Sequence, residues 1–454
     1  MAWTEVMRKP FRRKKKTNLF DLPSDIIINI LLKLPLETLY RLRSVSKTLL
    51  NRLEDPLFAT THTRLRISTN AAGEVPRLML VSKISSERML DYIHMQSLKY
   101  DGQDLTAETK INAIALKNLP YWPWHNHRYD SQKYSLEFCY HGLFFYKKES
   151  EGQSRLLLCD PLRGEILKLP TIDFPVQSKN VGCSYGMGFD SKTNTHKIVC
   201  VSSDIEGCKE TQVLVLGTDS WKKIPSQPPC HISKRHICAY GDMHWLIDLL
   251  LQARDDRLRI VSFDFKKEEF YWTPHPTSVS MVDVPYMQLL NFRGSIAIAC
   301  VSMEYYLKIW VLPNYDTKDW GLDYSINLRM FSEPVGFSRL SSYSHSCGEW
   351  EHGIFFIDKL RQMSFFVDLR RTSMKQIALH KIFRGGDPWR QLNIVGYAAG
   401  SFVSLKDYGQ LVSPEPRVEN SRMQRPSLQK LGQCFVGATT KIERENQQWH
   451  RFLI

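Results

Sequence analysis

The chain has 454 residues, 43% of them hydrophobic and 24% charged, a balance that excludes a mainly disordered protein and leaves room for two or three globular domains. Lys and Arg number 61 against 47 Asp and Glu, a net of +14. No stretch approaches the about twenty apolar residues that a membrane-spanning helix needs, so a soluble protein of the nucleus or cytoplasm is expected, with no membrane partner.

Arg8, Lys9, Arg12, Arg13, Lys14, Lys15 and Lys16 supply seven of the positive charges. Like charges repel and keep a segment extended, so residues 1–18 are expected as a basic disordered leader. The block suits a nuclear-import address, a contact with nucleic acid or anionic lipid, or a solvated leader. It is not a signal peptide, because the Ile-rich run that follows is interrupted by Asp21, Asp25 and Lys33.

Residues 19–63 read as three short helices. Pro23 ahead of Ser24 and Asp25 marks a start, since Ser or Asp can accept from first-turn amides. Ile26, Ile27, Ile30, Leu31 and Leu34 fall at helical spacing and predict one apolar stripe, with Asn29 and Lys33 in water. Pro35 ends the helix, having no amide hydrogen to donate. A second helix carries Leu36, Leu39 and Leu42 inward and Glu37, Arg41 and Arg43 outward. A third carries Val45, Leu49, Leu50 and Leu53 inward, and Asp55-Pro56 closes the unit. About forty residues are near the lower limit for folding alone, so a module this rich in Ile and Leu is expected to need a partner.

Leu22-Pro23, Asp25, Ile30-Leu31, Leu34-Pro35 and Arg41-x-Arg43-x-Val45-x-Lys47 follow one another in the order found in an F-box, which the module resembles over its whole length. Ser46 and Leu49 stand where family members often carry Cys and Trp. The resemblance implies a contact with a Skp-family adaptor through Leu22, Pro23, Ile26, Ile30, Leu31, Leu34, Pro35, Leu39 and Val45, with Lys47 at the rim. The same residues also suit the module's own core, and the two roles are left open.

Ten cysteines are scattered with no Cys-x-x-Cys pair, several inside apolar runs, as in a reducing compartment. Cys230, His231, His236, Cys238 and His244 form the densest thiol and imidazole cluster, but the spacing fits no usual zinc pattern. No metal and no cofactor are expected.

From about Arg64 the text changes to Val, Ile, Phe, Tyr and Trp in short runs broken by Gly, Pro, Asp, Ser and Asn, which is strand punctuation. The runs recur with a period of roughly fifty residues, the spacing of a propeller or similar array. Successive copies begin at Gly142, Gly188, Gly241, Gly294 and Gly353. Trp221, Trp272 and Trp320, near the last strand of their copies, are placed to plug between neighbours. Six blades are expected, with seven as the alternative. The closing blade would be shared by Arg77 to Val81 and Met89 to Met95 from one end and Asn393 to Tyr397 and Ser401 to Leu405 from the other. The fold class is therefore multidomain, α plus all-β: a three-helix F-box and a β-propeller-like repeat domain over residues 64–406 with about six four-stranded blades.

An insertion is expected near 98–130, with LTAETKINAIALKN as an amphipathic helix and Tyr121 to His127 as an aromatic loop suited to ligand contact or to packing over the ring. Residues 407–454, rich in Pro and polar residues, are expected as a flexible tail. CDPLRGEILKLP at Cys159 to Pro170, YGMGFDSKTNTHKIVCV at Tyr185 to Val201 and the Trp-Lys-Lys-Ile-Pro ending at Pro225 resemble the plant F-box-associated domain. In the second of these, Asp190, Ser191, Thr193 and Asn194 read as a hairpin turn.

No catalytic set emerges. Gly182-Cys-Ser184-Tyr-Gly186 matches the serine-hydrolase pattern, but a strand and hairpin follow it where an elbow needs a helix. No phosphate-binding glycine loop is present, and the carboxylates form no recognisable acid-base pair. The two resemblances imply a non-catalytic subunit of a Skp-cullin-F-box ubiquitin ligase. Its F-box would dock the adaptor, and through it the cullin and RING subunit, while the propeller holds a protein substrate whose contact residues the sequence does not name. The alternative is a propeller scaffold that binds nucleic acid or carbohydrate outside a ligase. Charge concentrated in one tail disfavours nucleic acid.

Overall fold

The computed structural model describes residues 22–34, 36–68, 77–85, 90–100, 105–117, 134–150, 153–160, 163–172, 182–203, 209–247, 259–279, 287–302, 304–331, 345–358, 363–378, 391–397 and 403–412. The basic leader, Pro35, Tyr121 to His127 and residues 413–454 lie outside them.

The N-terminal module has helices α1 (Ser24–Leu32), α2 (Leu36–Leu42), α3 (Lys47–Leu53) and α4 (Pro56–Ser68). Ile27, Leu31, Leu39, Leu49, Leu53 and Phe58 form its core. Three expectations are corrected. First, α1 ends at Leu32, and neither Ser24 nor Asp25 caps it: Pro23 holds the cap position with no side-chain bond, while Ser24 Oγ accepts from Arg52 at 3.1 Å. Second, Val45 sits exposed in the turn ahead of α3, which is capped by Ser46 through a 3.1 Å bond from the Leu49 amide. Third, Asp55-Pro56 opens a fourth helix. Asp55 Oδ1 accepts from the Leu57 amide at 2.9 Å, and Pro at the first helical position loses no bond. The hydroxyls of Thr60, Thr61 and Thr63 donate to carbonyls one turn back at 2.7–2.9 Å, which satisfies a threonine-rich segment that reads poorly as helix.

Six four-stranded antiparallel sheets follow. Blade 1 takes β1 (Arg77–Ser85), β2 (Leu90–Tyr100) and β3 (Leu105–Lys117). Blade 2 holds β4 (Tyr134–Tyr140), β5 (Leu143–Ser150), β6 (Gln153–Asp160) and β7 (Glu165–Leu169). Blade 3 holds β8 (Gly182–Asp190), β9 (Thr195–Ser203), β10 (Lys209–Val215) and β11 (Lys222–Ile224). Blade 4 holds β12 (Ile232–Ala239), β13 (Asp242–Ile247), β14 (Arg259–Asp264) and β15 (Glu269–Pro274). Blade 5 holds β16 (Met287–Phe292), β17 (Ser295–Val301), β18 (Tyr306–Asn314) and β19 (Asp319–Asn327). Blade 6 holds β20 (His345–Trp350), β21 (Gly353–Asp358), β22 (Met363–Asp368) and β23 (Ser373–Ala378).

The strand β24 (Gln391–Tyr397) returns to pair with β1, so blade 1 reads β24-β1-β2-β3. Three of its strands come from before the repeats and one from after them, where two and two were expected. Leu105–Lys117, expected as a helix inside an insertion, is the 13-residue outer strand of this blade. Of the expected strand Ser401 to Leu405, residues 401–402 lie outside the described residues, Val403 and Ser404 are not in a strand, and Leu405 opens a 3-10 turn. The inner strands β24, β4, β8, β12, β16 and β20 neighbour one another in that order and close the ring.

Apolar packing lies between blades. Phe145, Leu158 and Leu167 of blade 2 meet Tyr185, Met187 and Ile198 of blade 3. Val199 and Val213 of blade 3 meet Met243, Trp245 and Phe263 of blade 4. Leu78 and Tyr100 of blade 1 meet Trp350, Phe355 and Phe366 of blade 6. Two of the expected tryptophans bridge blades through their ring N–H: Trp221 donates to the Pro170 carbonyl at 3.0 Å and Trp320 to the Pro274 carbonyl at 2.8 Å.

Turns on one face of the ring are short. His141-Gly142, Tyr240-Gly241 and Arg293-Gly294 all have positive φ, the two-residue hairpin geometry that matches strand twist. Between third and fourth strands a side-chain oxygen recurs as acceptor for turn amides, at Asp160 (3.1 Å), Asp264 (2.7 Å), Asn314 (2.9 Å) and Asp368 (2.8 Å). The expected Asp190–Asn194 hairpin forms, with Asp190 Oδ1 accepting from the Lys192 amide at 2.8 Å and Asn194 at φ 56°.

The segment 403–412 is ordered, contrary to a flexible tail beginning at residue 407. The Leu405 amide donates to Glu165 Oε2 at 2.7 Å and the Val412 amide to the Ile166 carbonyl at 2.8 Å, so the segment clips the open edge of β7.

Two outcomes test this packing. A Cβ on Gly353 would stand 2.0 Å from the Val367 carbonyl oxygen, a backbone atom that cannot rotate away. Gly353→Ala should therefore lower stability by about 3 kcal/mol, read from urea unfolding midpoints. The second concerns Glu349 on β20, which accepts from the Arg293 amide of blade 5 at 2.9 Å. Burial pushes its carboxyl up to about 7, against the opposing pull of that amide and of the Arg293 charge. The folded chain thus holds this proton more tightly than the unfolded chain. Its contribution to stability is full below the ordinary carboxylate range and is lost as pH rises to about 7. Buried His196 and His244, lowered to about 3, act in the opposite direction, losing their contribution as pH falls below the ordinary imidazole range. The difference between parent and Glu349→Gln isolates the carboxyl: the parent's melting temperature relative to the variant's should fall between pH 5 and pH 8.

Candidate functional site

α1 carries apolar side chains on two sides, and the module's small core can accept only one of them. Ile27 and Leu31 are each 1% exposed and pack with Leu39 at 0%, whereas Leu22, Ile26 and Ile30 are 42%, 46% and 40% exposed. Ile26 and Ile30 are spaced four apart on α1, the separation that stacks side chains along one helix face, and Leu22 lies just ahead of the helix. They form a stripe of branched aliphatics in water, flanked by exposed Pro23. Val45, at 67%, and Lys47 are exposed at the junction of α2 and α3, and Leu34 is half-buried.

The ten residues considered for adaptor contact therefore divide. Leu22, Pro23, Ile26, Ile30, Val45 and Lys47 face water, Leu31 and Leu39 are core, Leu34 lies between, and Pro35 is outside the described residues. Sequence spacing could not make this division, because 26, 27, 30, 31 and 34 all satisfy a helical stripe. What decides it is the direction from which α2, α3 and α4 cover α1.

Elsewhere the polar residues of interest serve packing. Ser184 of the Gly-x-Ser-x-Gly segment lies within β8 and accepts from Trp245 Nε1 at 3.0 Å, an inter-blade bond and not a nucleophile elbow. His244 is buried, its Nδ1 2.7 Å from Ser262 Oγ and its Nε2 3.1 Å from the Ala239 carbonyl. The run continues through Thr273 and Tyr315 to Tyr271, which donates to Asp242 at 2.7 Å. It links blades 4 and 5. Burial raises Asp242 to about 6 and keeps His244 neutral. Among the described residues no group of three or more His, Cys, Asp or Glu is placed to hold a metal ion, and no helix is long and apolar enough to cross a membrane.

One contact set was invisible to the sequence. Arg163, in the turn between β6 and β7, reaches the helical module. Its guanidinium carbon stands 5.9 Å from the ring centre of Tyr40 on α2, and its Nη1 is 3.7 Å from Glu54 at the end of α3. Nothing in either segment marks the other.

Residues 123–384, more than half of the chain, match the F-box associated beta propeller domain, and residues 19–60 match the F-box domain. Among curated proteins the chain is similar to the F-box protein CPR1 of Arabidopsis thaliana, at 25% identity over 66% of this chain and 71% of that protein. It is also similar to the F-box protein At4g19940 of the same plant, at 25% identity over 68% of this chain and 72% of that protein. Helical module, exposed stripe and closed ring agree with both matches: the chain belongs to the F-box proteins that carry an F-box associated beta propeller domain.

Proposed function

We propose that this protein is the substrate-recognition subunit of a Skp-cullin-F-box ubiquitin ligase, with its F-box docking the adaptor and its propeller holding the protein to be modified. The stripe of Leu22, Ile26 and Ile30 carries the proposal. A branched aliphatic side chain is stabilised by about 1.5–3 kcal/mol when it leaves water completely, and a domain whose own core is full can gain that only from another chain. F-box domains in general dock Skp-family adaptors, and the face on offer here is that of α1 with Val45 and Lys47 beyond it.

The work of such a subunit is geometric. The adaptor brings the cullin and RING subunit, and these bring the ubiquitin-carrying enzyme. A substrate held on the propeller then presents its lysines to the thioester at a high effective concentration, so the reaction is accelerated with no acid, base or nucleophile from this chain. The ring suits that task. Its side chains are committed to inter-blade packing, so a bound substrate is held by a scaffold that does not yield.

Two sets of variants separate docking from folding. Ile26→Asp with Ile30→Asp, both at exposed positions, should leave the circular dichroism spectrum and melting temperature near the parent's. Calorimetry should show adaptor affinity falling by about a hundredfold, the size expected for two lost aliphatic contacts. Leu31→Asp or Leu39→Asp should instead unfold the helical module, because each buries a carboxylate among aliphatic side chains. A folded parent that binds no Skp-family adaptor would overturn the proposal.

A further inference from the structure

We infer that Arg163 is a positioning residue: it fixes the angle at which the F-box sits on the propeller, and it does so through a junction that the C-terminal segment 403–412 braces.

Arg163 lies on a surface turn, yet its side chain is 2% exposed. Two groups of the F-box stand against it, the Tyr40 ring and Glu54, which it approaches at 5.9 and 3.7 Å. Two groups of its own blade hold it from behind: Asp160 Oδ2 lies 3.9 Å from Nε, and Glu165 Oε1 lies 3.9 Å from Nη1. On the F-box side Arg43 repeats the arrangement. Its guanidinium carbon is 5.6 Å from the same Tyr40 ring, and it bonds to the same Glu54. One aromatic ring and one carboxylate of the F-box thus serve two guanidinium groups, one from each domain. Burial, then the nearby Asp160 charge, holds the Tyr40 phenol well above its ordinary range, so the ring stays neutral beside both cations.

The chemistry suits angular control. A guanidinium is broad, planar and always charged, so one lodged between a ring and three carboxylates resists displacement in a way that the point charge of a lysine would not. A second tether, Arg64 to Asn194 on the β8–β9 turn, is exposed, and exposed polar contacts add little. Glu165 extends the junction to a third segment. Besides facing Arg163, it accepts from the Leu405 amide at 2.7 Å and from Ser404 Oγ at 3.3 Å, with Lys406 Nζ at 3.8 Å. Chain from near the C-terminal end therefore supports the residue that orients the N-terminal module. The consequence for ubiquitin transfer rests on the ligase-subunit reading above: the angle sets the separation between docked adaptor and held substrate.

The test uses the full free chain, so it does not depend on adaptor or substrate. Spin labels carried on non-canonical amino acids at exposed Asn51 on α3 and exposed Lys375 on β23 report the inter-domain distance. The parent should give one narrow distribution. Tyr40→Leu with Glu54→Gln removes the F-box half of the junction and leaves Arg163 paired within its own blade. It should widen the distribution by about twofold, while the propeller's melting temperature moves by no more than about 2 °C. Arg163→Lys should fall between the two. Glu165→Gln, which loosens the brace alone, should also widen the distribution. An unchanged narrow distribution in the Tyr40→Leu, Glu54→Gln protein would overturn the inference. So would a melting temperature that falls in step with the widening, since that marks general loosening. Loss of adaptor binding in the parent would bear on the ligase reading and leave these distances untouched.

Discussion

Ring closure by β24 is the constraint on which the rest of this molecule depends. Each four-stranded blade has two apolar faces and cannot cover either alone. Packing the blades in a circle covers them, but only if the first and last are joined. The antiparallel pairing of β24 with β1, from Arg77 opposite Tyr397 to Lys83 opposite Gln391, makes that joint. It draws a strand from beyond the last repeat into the innermost position of blade 1. The blade-to-blade layers, from Phe145 against Tyr185 around to Tyr100 against Trp350 and Phe366, can then all be covered together.

The same closure brings the C-terminal side of the chain back to the N-terminal side. Leaving β24, the chain reaches Leu405, whose amide Glu165 receives, and then bridges to Leu167 through Leu411. An edge strand that would otherwise offer unpaired amides and carbonyls is thereby partly covered. Glu165 also faces Arg163, and Arg163 faces the F-box. A small helical module with a core of six principal side chains is in this way seated against a much larger body. The division of labour on α1 follows from that module's size: Ile27 and Leu31 exhaust the space inside it, and Ile26 and Ile30 are left outside.

Much of this was legible in residues. Five of the six blades could be traced from their glycine-started strand runs, and the Asp190–Asn194 hairpin from its turn residues, because such signals act over a few residues and do not need the rest of the fold. The misreadings share a different cause. LTAETKINAIALK includes Leu, Ala, Glu and Lys, which are good helix formers, but it supplies the outer strand of the closing blade, and pairing along β2 outweighs a preference of a few tenths of a kcal/mol per residue. Asp101-Gly102, a hairpin dipeptide between two strand-like runs, was the signal to weigh against it. Asp55-Pro56 reads as the end of a helical unit and in fact opens α4, since the same residue pair serves both purposes. Leu405, expected within a strand of the closing blade, is instead buried against the core of blades 2 and 3, beside the β7 edge that its segment covers.

By itself the sequence determined the kind of molecule: an F-box pattern written in order, a strand repeat, and aromatic residues spaced to lie between blades, all short-range properties of the chain. Tertiary structure alone decided which aliphatic residues of α1 face water, where the ring closes, and that Arg163 meets Tyr40 and Glu54. Each of these depends on which surfaces come together from separate elements of the chain, and side-chain spacing within one element carries no information about the partner that will cover it.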